Sequence, residues 1–145
     1  MINWKNVAVG RLKEYQAKKL SLENIPMEIL QHELALENIR SADPDSVTVR
    51  SSSTWNDPRI NCMVMIESLR LSLRQTKLLV ESIDRALDIL NQEERILLER
   101  FFIYAEPKAA DRLAGDLHMD VKTVYRRKDE ALRKFTIALY GMAES

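Results

Sequence analysis

Lys122, Thr123, Tyr125 and Arg126 crowd a short stretch directly after Asp120, and all four side chains carry hydrogen-bond donors. A helix that began at Asp120 would gather those donors on its first turns. Reading base edges in the major groove of DNA needs that arrangement, because Arg or Lys can bridge guanine O6 and N7. From Val121 to Phe135 there are six basic and two acidic side chains, in a chain whose 22 basic and 22 acidic residues cancel. Global charge therefore says nothing about a nucleic-acid partner, and the case is a local one. Lys108, Arg112, Arg127, Arg133 and Lys134 stand where contacts to phosphate are expected.

Other chemistries lack their residues. There is no Gly-rich phosphate loop, no Cys/His pair at a useful spacing and no acidic cluster outside helix faces, so no enzyme and no cofactor are expected. Asp111, Asp116 and Asp120 are spaced by five and four, which suits helix capping and solubility better than a cation site. One cysteine, Cys62, excludes an internal disulfide framework, and with only two His residues a zinc site is not expected. His32 completes an apolar rhythm and reads as a packed side chain rather than a switch. The N-terminal MINWKNVAVG lacks an apolar signal core, and no apolar run approaches the roughly 18 residues of a membrane span. The expected setting is a reducing cytoplasm, with no membrane partner.

The elements that must position the donors read as all-α. Gly and Pro are scarce, at 3 and 4 residues, and aromatic residues make up only 6%. Residues 1–40 form an N-terminal helical region. Its first helix is expected over Asn3–Leu20, with Ala8, Leu12 and Tyr15 inward, and a second is expected to begin near Pro26, where proline fits a first turn. Residues 41–57 read as a linker, since Ser41–Pro58 carries two Asp-Pro pairs and five serines. Val47–Val49 is a candidate short strand there, and Trp55 a candidate anchor.

Residues 58–90 form a long helix. Cys62, Ile66, Leu69, Leu73, Thr76, Val80, Ile83, Leu87 and Leu90 step by four and three without a slip, the seam of a coiled coil about 50 Å long. Thr76 is a mildly polar position that either fixes register or simply fits. Leu71, Leu78, Leu79 and Ile89 lie off the seam and widen the apolar face, so more than one partner helix is expected. The N-terminal helices are expected to fold back on this rod, with a second copy completing a homodimer.

Residues 91–145 then form a small bundle. Asn91 caps a helix with Glu94 at the capping-box position, and Ile96, Leu97, Phe101 and Phe102 face the core before the turn Ala105–Pro107. Two short helices crossing steeply need a small residue at the crossing. Ala114 is placed for that, flanked by Leu113 and Leu117, with Met119 plugging the turn, Asp120 capping the next helix and Val124 packing back. Lys128, Ala131, Leu132 and Phe135 continue the inner side.

With its EERILLERF, DRLAGDLHMDVKTVYRRKDEALRKF and closing ALRK, Asn91–Phe135 resembles region four of the sigma-70 family. In organisation the whole chain is similar to the ArpU-like transcriptional regulators of phages and prophages. The resemblance implies a C-terminal helix-turn-helix, double-stranded DNA as partner and control of late phage genes. His118 stands where many such turns have Gly, so a positive φ is expected there. Arg127 stands where the family usually has an apolar residue, so its stem is expected to be half buried. Nothing in the N-terminal region resembles a promoter-melting segment. Two alternatives stay open: a small DNA-packaging subunit that recognises viral DNA as a ring, and an adaptor that docks on RNA polymerase through the coiled coil.

Overall fold

A computed structural model describes residues 1–41 and 57–144. Among these residues there are five α-helices and no strand, with long N-terminal helices and smaller C-terminal ones. They are α1 (Trp4–Ser41), α2 (Pro58–Asp88), α3 (Gln92–Leu98), α4 (Ala109–Asp116) and α5 (Val121–Tyr140). The linker core, with Val47–Val49 and Trp55, lies outside the described residues. No described helix is long and apolar enough to cross a membrane.

The chain divides into two compact units, one of residues 1–18 and 79–145, the other of residues 19–78. Each takes part of α1 and part of α2, and in each the heptad seam of α2 is the inner face. Ile66 and Thr76 are both 5% exposed and Leu69 and Leu73 half-buried in the second unit. Val80, Ile83, Leu87 and Leu90 are buried in the first. Apolar side chains on a stripe of this period leave water by facing another helix, which is the force that sets the rotation of α2. Within the second unit that helix is α1, whose Glu33 bonds Arg70 of α2 at 3.0 Å. The seam is thus satisfied inside the chain. Leu71, Leu78 and Ile89, expected to widen the packed face, instead stand 48%, 66% and 63% exposed.

The N-terminal region corrects one expectation. There is no second helix starting near Pro26: α1 runs unbroken from Trp4 to Ser41 with Pro26 inside it. A mid-helix proline removes one hydrogen bond and costs about 3 kcal/mol in isolation. Ile25 and Leu36 bury themselves on either side of it, while Pro26 itself is exposed. Packing on both flanks holds the helix together. Asn3 caps α1, accepting from the Asn6 amide at 3.1 Å, and Ala8, Leu12 and Tyr15 are buried as expected.

In the first unit the start of α1 is tied at two points. Trp4 stacks on Tyr140 of α5, with ring centroids 5.0 Å apart, and the Tyr140 hydroxyl is buried with no hydrogen-bond partner among the described residues. Tyr15 donates its hydroxyl to the Asp84 carboxylate of α2. Burial first, then that carboxylate, push the Tyr15 phenol from 10.0 up to about 12. Folding therefore favours the neutral phenol, so its contribution is complete below pH 10 and is lost as pH rises toward 12. A Tyr15→Phe variant is expected to lose roughly 1–2 kcal/mol of stability, the worth of a hydrogen bond to a charged group. It should also lose less stability than the parent between pH 10 and 12, a difference that denaturant melts across that range measure.

Candidate nucleic-acid interface

The C-terminal module is built outward from a small apolar cluster. Leu97 of α3, Ala109, Ala110 and Leu113 of α4 and Val124 of α5 are buried together, with Ile96, Phe101, Ala114, Leu117, Met119 and Val121 packed on them. These include the small residue, the flanking leucines, the turn plug and the returning valine that the spacing assigned. Ala131, Leu132 and Phe135 continue the buried side of α5 at 0%, 7% and 0% exposure. A helix pinned along that side has one rotation, and it turns Lys122, Tyr125 and Arg126 outward.

The turn between α4 and α5 is short and its hydrogen bonds are local. His118 takes φ 53, as expected where similar turns use glycine. The Leu117 amide donates to Leu113 at 2.8 Å and the Met119 amide to Ala114 at 3.1 Å. This is the closing pattern of a helix that ends on a left-handed residue. Asp120 then caps α5, accepting from the Thr123 amide at 3.2 Å. Hydrogen bonds from Thr123, side chain before backbone, hold the Asp120 carboxyl below the usual range. Asn91 and Glu94 form the full capping box on α3. Burial alone would raise the Glu94 pKa, but bonds from Lys134 and the Asn91 amide outweigh it and the net direction is down.

Three features carry no signature in the sequence. After Leu98 the helix widens into a π-helical turn, Glu99–Ile103, in which the Tyr104 amide reaches back to Glu99 at 2.7 Å. Lys128, read only as an inner position, places its ammonium among three rings: 5.4 Å from Phe101, 5.9 Å from Phe102 and 5.5 Å from Tyr125. Cation–π attraction of this kind ties the π turn to the first turns of α5 without a hydrogen bond. Arg100 is a clamp, bonding Glu106 at 3.0 Å and Asp116 at 2.7 Å. Asp116 answers Arg100 while Asp120 caps the next helix, and no group of three metal-ligating side chains occurs among the described residues.

The basic residues divide into two sets. Lys122, Tyr125, Arg126, Lys108 and Arg112 are exposed, and Thr123 is half-buried. Arg126 bonds Glu130 at 3.3 Å, but both side chains are at least 60% exposed, and such a pair is worth well under about 1 kcal/mol. The other three candidate phosphate residues are engaged within the molecule. Arg127 holds Glu93 at 2.6 Å with its side chain 43% exposed, which meets the expected half-burial of its stem. Arg133 bonds Glu144 at 2.9 Å and Lys134 bonds Glu94 at 2.8 Å, although these two side chains are themselves 53% and 58% exposed. Lys122 and Arg126 are four apart and Tyr125 lies between them, so the three share one helix surface. That surface presents two cations and a phenol, a set suited to an anionic, hydrogen-bond-accepting partner.

The turn yields a stability test. A non-glycine residue in the left-handed region costs about 1–2 kcal/mol, and glycine returns about 0.5–1 kcal/mol of that through a more flexible unfolded chain. His118→Gly should therefore gain about 0.5–1 kcal/mol in a denaturant melt, while His118→Val should lose stability. Compared with known proteins, the chain matches no family model, no curated protein and no solved structure.

Proposed function

We propose that the chain binds double-stranded DNA and regulates transcription, reading the major groove with the first turns of α5. α4 and α5 then act as a helix-turn-helix, with α4 lying across the backbone and α5 entering the groove. The observation that carries this reading is the division of the α5 surface. Val124, Ala131, Leu132 and Phe135 are buried, while Lys122, Tyr125 and Arg126 stand exposed just beyond the Asp120 cap. Arg126 and Lys122 are the donors for base edges, Thr123 and Tyr125 supply shorter contacts, and Lys108 and Arg112 neutralise phosphates on the flank. The weak Arg126–Glu130 pair is exchanged for DNA at little cost.

The regulated genes follow from the resemblance to ArpU-like regulators: late genes of a phage or prophage, expressed in a bacterial cytoplasm. No catalytic step belongs to this role.

Binding measured on a defined duplex across a salt series separates the two sets of basic residues. Arg126→Ala should weaken binding by about 1–3 kcal/mol and relax preference at one base pair. Lys108→Ala should weaken all duplexes alike and reduce the slope of log K against log salt by about 0.9. Arg127→Ala, whose guanidinium already serves Glu93, should lower stability and leave that slope unchanged. Equal effects of Lys108→Ala and Arg127→Ala on the slope would contradict the assignment.

A further inference from the structure

Lys128 is the odd member of the six basic side chains on α5. It is only 18% exposed, whereas Arg126, Arg127, Arg133 and Lys134 have side chains 43–62% exposed. Its ammonium sits among the rings of Phe101, Phe102 and Tyr125 and pairs with the Asp129 carboxylate at 2.9 Å. Withdrawing a charge from water is costly unless other groups attract it, and here three ring faces and one carboxylate do so. The same attraction holds the rings. Phe101 and Phe102 belong to the π turn and are half-buried, but Tyr125 is exposed on the surface it shares with Lys122 and Arg126.

Tyr125 is therefore restrained from two directions. Lys128 lies three residues further along its own helix, and the Phe101 ring, tilted by 54° at 5.9 Å, meets it from the π turn. Arg126 differs, since its pair with Glu130 is exposed and on the same helix, a contact that restrains a side chain little. We propose that Lys128 is a positioning residue, which does not touch DNA but fixes the Tyr125 ring so that Tyr125 helps to choose the sequence. The proposal rests on the reading of α5 as the helix that enters the groove, and adds to it a residue with a different role. A side chain already held in place loses little freedom when it binds, so its contact with a base edge is realised nearly in full. Lys128 also parts company with the phosphate residues in one respect. An ammonium that stays with its rings and Asp129 displaces no counterion from DNA, so it adds nothing to the salt dependence of binding.

The test measures binding of full-length variants to the duplex that the wild type enriches from a random pool, and to single-base-pair changes of that duplex, across a salt series. Lys128→Met keeps the apolar stem and removes the charge, and methionine packs readily against phenylalanine rings; circular dichroism confirms that each variant keeps its helix content. Tyr125→Ala should lose discrimination at one or two base pairs. Lys128→Met should lose it at the same base pairs, by roughly 2- to 30-fold, the span a cation–π contact can supply. The slope of log K against log salt should stay at the wild-type value. Lys128→Arg should recover part of the discrimination, and Lys128→Met should cost no more of it once Tyr125 is alanine. A reduced slope would overturn the proposal in favour of a phosphate contact. A loss spread evenly over all duplexes, or one that persists without Tyr125, would overturn it in favour of a purely structural lysine. If Tyr125→Ala leaves discrimination intact, the proposal fails while the DNA reading, carried by Arg126, stands; if the wild type enriches no duplex, both fall.

Discussion

The rotation of α5 about its own axis is the constraint on which the proposed interface depends. Val124, Ala131, Leu132 and Phe135 lie along one side of the helix and are almost wholly withdrawn from water. At roughly 25 cal/mol per Å2 of apolar surface, turning any of them out would cost far more than the exposed cations could return by moving. Lys122, Tyr125 and Arg126 are therefore displayed because the valine and its successors are buried. Around that choice the rest is reinforcement. The left-handed His118 ends α4 in time, Asp120 starts α5 where its amides need an acceptor, and Lys128 fastens the new helix to Phe101 and Phe102.

Electrostatics sort the remaining basic residues. The excess positive charge of α5 is less available than its composition suggests, because Arg127, Arg133 and Lys134 each meet a carboxylate on another segment. These pairs are partly or largely exposed and individually contribute little to stability. Their consequence is positional: they draw charge toward α3 and the C-terminus, while Lys122, Lys108 and Arg112 stand exposed and Arg126 is held only by its weak pair with Glu130. A neutral protein can present a locally positive surface in this way without carrying a field that attracts DNA at every point.

Much of this was legible in the residues, for reasons that differ by element. The seam of α2 was readable because a stripe of period 3.5 has few other physical uses, and its residues from Ile66 to Leu90 face inward as the spacing required. The crossing of α4 and α5 was readable because Ala114, Leu113, Met119 and Val124 each answer a steric demand of a tight turn. Pro26 misled, because its local cost is real but smaller than the burial of Ile25 and Leu36 that spans it. The π turn at Glu99–Ile103 has no composition of its own that sets it apart in the sequence. The partners of Arg127 and Lys134 lie far away in the chain, so only the folded arrangement reveals that those cations are engaged. Periodicity shows that a stripe will be covered, while its partner within the chain is chosen by chain connectivity.

The central claim is that the exposed first turns of α5 read DNA sequence. Selection of bound duplexes from a random pool tests it most directly, comparing the wild type with a Lys122→Ala/Arg126→Ala double variant. The account predicts that the wild type enriches a defined motif and the variant, though equally folded, does not. Failure of the wild type to enrich any motif, or enrichment of the same motif by both proteins, would contradict it.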